Sequence, residues 1–277
     1  MNTHNIHYRH NIQCFGSGGS TLVFGHGFGC DQTMWRFLAP AFADRYRIVL
    51  FDLLGSGYSD AADYDPKRYA TLHAHADDLI RIVEATSDGP VIYIGHSVNA
   101  MIGMLAAIKA PALFAAQVMV SPSPCYLNDG DYVGGANADD IDALLRLMDD
   151  NWLKWAARMG PVIMGAPDRP ELQEELTASF CRVDPKIAKH FGRVTFLSDH
   201  RADLAASRIP TLILQSTDDL IAPVEVGEYM QTHMANSTLA LVDNIGHCPH
   251  MSAPSRSAAL IETFLAGLPQ PLAAVQA

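Results

Sequence analysis

The stretch Val91–Met101, Val-Ile-Tyr-Ile-Gly-His-Ser-Val-Asn-Ala-Met, constrains the fold more than any other. Four apolar residues, mostly β-branched or aromatic, run into Gly95-His96-Ser97, and a helix-forming Ala/Met/Leu segment follows at once. A strand that turns so sharply into a helix belongs to a parallel α/β sheet, where helices return the chain to the sheet's starting edge. Such a turn holds its serine in a strained backbone conformation with the hydroxyl in the open, and small neighbours let strand and helix pack closely. Ser97 is therefore the candidate nucleophile. The glycine usual two residues after the serine is Asn99 here, one of the few other residues that tolerate unusual backbone angles.

The flanking chain repeats the alternation. Thr21–Phe24, Tyr46–Phe51, Gln117–Ser121, Thr211–Gln215 and Thr238–Val242 read as further strands. Helices are expected over Thr71–Thr86, Met101–Lys109, Val224–Met234 and Pro254–Leu265, and Asp31 or Thr33 can cap one running to Phe42. Asn5–His10 and Ile12–Phe15 read as a first hairpin, and Pro269–Ala277 as a frayed tail. Between Tyr126 and about Asp203 the strand-like runs disappear, leaving helical segments at Ala138–Trp155, Pro170–Cys181 and Pro185–Leu197. The expected organisation is a core domain from 1–125 and 204–277 with a helical cap, 126–203, inserted in it. Leu144, Leu147, Trp152, Trp155, Met159, Phe180 and Phe196 form the cap's apolar stripe.

Composition narrows the function classes. A chain of 277 residues that is 49% hydrophobic can bury a large core, and a net charge of −11 without a Lys/Arg cluster excludes a nucleic-acid surface. Met1–Asn11 contains no apolar signal region and no run approaches a membrane span, so a cytoplasmic protein without a membrane partner is expected. Five cysteines without C-x-x-C spacing read as reduced thiols, and Cys248 beside His247 as a bystander. His73 and His75 point to different faces of one helix, so they read as solvated surface rather than a metal pair, as do Asp77, Asp78, Arg81 and Glu84. No metal or cofactor is expected.

A hydroxyl is a weak nucleophile at neutral pH, so Ser97 needs a base within hydrogen-bond reach, and the base needs a carboxylate to set its tautomer. Ser97, Asp219 and His247 each follow a strand and occur in the order Ser, Asp, His. Spacing favours the loop after Gln215 over Asp243, but does not separate Asp218 from Asp219. The glycines of Gly25-His26-Gly27-Phe28-Gly29-Cys30 let backbone N–H groups converge on one point, as an oxyanion hole requires; the Lys-Ser/Thr of a phosphate loop is absent. Asp52 reads as a clamp on its own loop, His26 and His96 as structural, and His250 as a rim residue at most.

At these residues the chain resembles the α/β-hydrolase superfamily, and within it the group containing the bacterial stress regulator RsbQ and the plant karrikin and strigolactone receptors. The matching segments are Gly25–Gly29 with Asp31, Gln32 and Trp35; Phe51–Gly57; Gly95–Val98 with Ala100–Gly103; Ser123–Asp129; Asp131–Gly135; and Leu214–Ser216 ahead of Asp219 and Pro223. Tyr126-x-Asn128-Asp129 and Asp131-Tyr132-x-Gly134-Gly135 are the most specific of these, because generic α/β-hydrolases lack them.

The resemblance implies a mostly parallel sheet flanked by helices, with a four-helix V-shaped cap over a small hydrophobic pocket. It implies Asp219 as the acid, the amides of Phe28 and Val98 as the oxyanion hole, and Phe28, Tyr126, Trp155, Phe196 and Ile221 as pocket residues. The expected activity is a serine hydrolase on small hydrophobic esters or lactones. The alternative is a signalling protein that binds or slowly hydrolyses such a ligand and docks to a PAS-domain phosphatase. A cofactor-free haloperoxidase or carbon-carbon hydrolase shares the triad and ranks third.

Overall fold

The computed structural model describes residues 3–268; the tail expected to fray lies outside them. One sheet is built from β1 (Gln13–Phe15), β2 (Ser20–Gly25), β3 (Tyr46–Phe51), β4 (Val91–His96), β5 (Phe114–Val120), β6 (Thr211–Asp218) and β7 (Ser237–Ile245). Their spatial order is β1-β3-β2-β4-β5-β6-β7, and all pairs are parallel except β1 with β3. The β4 residues are buried throughout, as expected of a parallel strand with helices on both faces, whereas in edge strand β7 every residue but Val242 is half-buried or exposed. This is the α/β-hydrolase fold.

The helices are α1 (Thr3–Arg9), α2 (Leu72–Thr86), α3 (Val98–Lys109), α4 (Ala138–Asp150), α5 (Trp152–Met164), α6 (Pro170–Arg182), α7 (Pro185–Phe196), α8 (Val224–His233), α9 (Pro249–Ser252) and α10 (Pro254–Gly267). Helices α4–α7 form an insertion between β5 and β6, all within the 126–203 stretch. Asn128 folds the chain into the insertion, its side-chain oxygen accepting from the amides of Gly134 (2.9 Å) and Gly135 (3.0 Å). Phe28 ties core to insertion: its ring lies 5.8–6.2 Å from those of Trp152, Trp155, Phe180, Phe191 and Phe196. Such aromatic pairs each contribute about 0.5–1.5 kcal/mol beyond their burial. Among the described residues no helix is long and apolar enough to cross a membrane.

Three local expectations fail for identifiable reasons. The N-terminal hairpin is absent: α1 takes its first half, and β1 pairs with β3, Cys14 opposite Val49. A helical turn places Ile6 and His10, four apart, on the same buried side, and Asn11 at φ 45° then redirects the chain into β1. The helix through Phe42 is two short 3-10 segments, Gln32–Trp35 and Ala39–Phe42, the first capped by Asp31 and the second carrying Pro40 in its first turn. His75 and Asp78 are buried, not solvated. The insertion lays Phe191 over His75, which packs between that ring and Tyr69, both 4.7 Å away. Asp78 accepts from Arg68 at 2.6 Å and from the Tyr69 hydroxyl.

Burial holds both His75 and His250 down to about 3. Each is neutral in the folded chain and charges near 6.5 once unfolded, so the unfolded chain takes up more protons as pH falls. Stability is therefore full above pH 6.5 and is lost toward pH 3. Between pH 7 and 5 the expected loss is about 2 kcal/mol per histidine. It is read as a falling urea midpoint; an equal midpoint at the two pH values would rule out the neutral burial.

Candidate active site

The candidate groups meet at the carboxyl ends of β2, β4, β6 and β7, where open α/β sheets place their ligand crevice. Ser97 joins β4 to α3 at φ 55°, ψ −123°, outside the usual regions for a non-glycine residue, with its amide bonded to the Val120 carbonyl at 2.8 Å. A side chain at Gly95 would come within 2.6 Å of the Asn99 carbonyl oxygen, and one at Gly103 would overlap the Tyr93 ring. The small residues on either side of the turn thus bring helix and strand into contact.

His247 follows β7 and has its Nε2 2.8 Å from Ser97 Oγ and its Nδ1 2.7 Å from Asp219 Oδ2. The other carboxylate oxygen of Asp219 accepts from the amides of Ile221 (2.8 Å) and Ala222 (3.2 Å), which leaves Oδ2 for the imidazole. Of the two rival carboxylates, Asp218 sits on an exposed strand end and Asp243 points to solvent, 87% exposed, beside Arg256. His96 Nε2 meets the His247 carbonyl at 2.8 Å; a carbonyl only accepts, so Nε2 carries the proton. The His247 amide in turn donates to Ile163 O of α5 at 2.8 Å, linking the insertion to the histidine loop. His250 is not at a rim: it is fully buried between the rings of Trp35 (4.6 Å) and His96 (4.4 Å).

Among the described residues neither the Phe28 amide nor the Val98 amide has a protein acceptor. Phe28 lies in the glycine loop after β2 and Val98 opens α3, so these donors flank the Ser97 turn. Asp52 clamps the neighbouring loop by accepting from the amides of Gln32 (2.8 Å) and Tyr58 (2.9 Å).

A cavity of about 30 Å³ opens onto Ser97 and His247. Of the five expected pocket residues, Phe28, Tyr126, Phe196 and Ile221 line it. Trp155 does not; it lies behind Phe28, its ring edge-on at 5.8 Å and stacked 5.0 Å from Trp152. Phe180, Ile163 and Thr195 also contribute to the lining. Phe180 was legible as part of the apolar stripe, while Thr195 carried no signal. Cys30 and Cys248 line the cavity as well, but burial pushes both thiols up, away from a reactive thiolate. Burial likewise pushes the Tyr126 phenol up to about 12, with the Ser97 hydroxyl beside it pulling the other way.

Residues 22–260 match the alpha/beta hydrolase family. The chain is 39% identical over 246 residues to Karrikin insensitive 2 receptor CA of Petunia hybrida, covering 88% of this chain and 91% of the relative. It is 35% identical over 266 residues to Strigolactone esterase D14 of Arabidopsis thaliana, covering 96% and 99%. A hydrolase from Oleispira antarctica superposes with a TM-score of 0.94 at 40% identity, over 96% of this chain and 98% of that one. With the match running from β2 into α10, the chain belongs to the alpha/beta hydrolase family.

Proposed function

We propose that this protein is a serine hydrolase that cleaves small hydrophobic esters or lactones through an acyl-enzyme. The observation that carries this reading is the unbroken hydrogen-bond chain Asp219–His247–Ser97, at 2.7 and 2.8 Å. His247 Nε2 takes the Ser97 proton as Oγ attacks the carbonyl carbon, and Asp219 stabilises the imidazolium. The amides of Phe28 and Val98 receive the oxyanion. Collapse expels the alcohol with the proton from His247, and a water activated by the same imidazole then releases the acid and restores Ser97. The 126–203 segment acts as the lid over this chemistry, and neither a metal nor a cofactor enters it.

The test is turnover of p-nitrophenyl acetate together with labelling by diethyl p-nitrophenyl phosphate. Stoichiometric modification of the Ser97 peptide with loss of turnover is expected; modification elsewhere, or none, contradicts the reading.

Cavity size sets the expected substrate range. A space of about 30 Å³ holds on the order of two water-sized groups, so acetyl esters fit best and each added methylene must displace an aromatic wall. Across p-nitrophenyl esters from acetyl to hexanoyl, kcat/KM is expected to fall by roughly tenfold or more. Phe180→Leu should move the optimum to longer chains. A flat profile in both proteins would remove the cavity as the determinant.

A second reading is favoured by the receptor among the relatives. Here the ligand is bound or slowly hydrolysed, and the ligand-bound lid docks to a regulatory protein such as a PAS-domain phosphatase. Ligand-dependent recovery of one partner with slow turnover supports this reading; fast turnover with no partner removes it.

A further inference from the structure

We propose that Asn99, the residue standing where the serine turn usually has glycine, is a positioning residue that holds the Phe28 amide in its oxyanion-binding direction. The inference rests on the hydrolase reading above and deepens it. Asn99 lies in the first turn of α3 and is wholly buried. Its Nδ2 donates to the His26 carbonyl at 2.6 Å, and its Oδ1 accepts from the Tyr93 hydroxyl at 2.8 Å. The amide orientation has no alternative: a carbonyl can only accept, so the nitrogen must face His26 and the oxygen must face Tyr93. Burial keeps the Tyr93 phenol protonated and therefore a donor.

The hold continues along the loop. The Leu53 amide donates to His26 Nε2 at 2.9 Å, so the ring proton sits on Nδ1, which donates to the Gly27 carbonyl at 2.9 Å. The Cys30 amide reaches the same carbonyl at 3.3 Å. The Gly27 carbonyl and the Phe28 N–H belong to one planar trans peptide and point in opposite directions. Holding the carbonyl therefore aims the N–H, and Asn99 holds the preceding peptide unit, the one to which the His26 ring is attached. Gly25 fits the same arrangement, because a side chain there would overlap the Tyr93 hydroxyl and crowd the Asn99 amide. Serine and oxyanion donor sit on different strands, and Asn99 is the side chain that bonds the helix of one to the loop of the other.

A group that aims a donor affects the transition state more than the bound ester. Asn99→Ala is therefore expected to lower kcat for p-nitrophenyl acetate by about 10- to 100-fold with KM within about twofold. Affinity for a boronic acid, which forms a tetrahedral adduct on Ser97, should weaken by the same factor. Tyr93→Phe leaves Asn99 in place and removes the donor that orients it, with an expected drop in kcat of about 3- to 10-fold at unchanged KM. This variant keeps the test readable if Asn99→Ala does not fold. A rise in KM with kcat intact, or kcat and boronate affinity both equal to wild type, overturns the inference. Failure of the wild-type protein itself to turn over the ester and to be labelled at Ser97 would overturn the hydrolase reading instead, so the two failures are distinguishable.

Discussion

Ser97→Ala is expected to lower ester turnover by on the order of 10⁴-fold or more while leaving the fold intact. The hydroxyl oxygen is the only heavy atom removed. The Ser97 amide keeps its bond to Val120 O, and alanine carries the same Cβ into the same φ 55° turn, so the backbone strain neither grows nor relaxes. His247 loses its Nε2 partner but keeps Asp219, the bond from its amide to Ile163 and the one from His96 to its carbonyl. Melting temperature should therefore move little, while release of p-nitrophenol falls to background and labelling by diethyl p-nitrophenyl phosphate vanishes. Turnover persisting at the wild-type rate in a folded Ser97→Ala protein would move the chemistry to another residue.

Asp219→Asn is expected to lower kcat by about 10⁴-fold with little change in stability, because it imposes the wrong histidine tautomer. The amides of Ile221 and Ala222 both donate to Asp219 Oδ1, so the asparagine must place its oxygen there. Its NH₂ then faces His247 Nδ1, which becomes an acceptor and moves the ring proton to Nε2. An Nε2–H cannot receive the Ser97 proton across the 2.8 Å contact. Asp218→Asn and Asp243→Asn are the matched controls, since both carboxylates are exposed and neither meets the imidazole. Their kcat should stay within about twofold of wild type. A large loss in either control, with Asp219→Asn active, would reassign the acid.

Local signals account for much of what is legible in the sequence. The β4 turn, the glycine loop after β2 and the resumption of the sheet after Asp203 are short-range patterns in which residue type and backbone demand coincide. Asp52 read as a loop clamp for the same reason, and it bonds two backbone amides. The first segment misled because six or seven residues of mixed polarity satisfy strand and helix alike. Only contact with the core, through Ile6 and His10, decides between them.

The sequence by itself determined the layered α/β architecture and the strand ends at which serine, acid and base would sit, because hydrophobic periodicity and turn chemistry act within a dozen residues. Spacing left Asp218 and Asp219 open and the family resemblance pointed to Asp219, the carboxylate that meets His247 in the structure; only the tertiary structure decided that Trp155 stands behind Phe28 rather than in the cavity, and that His75 and His250 are neutral and buried. It also changed the standing of Asn99, from a gap in a local pattern to a buried bridge between His26 and Tyr93. Each of these depends on residues far apart in the chain, where packing rather than local propensity sets distance, burial and the direction of a hydrogen bond.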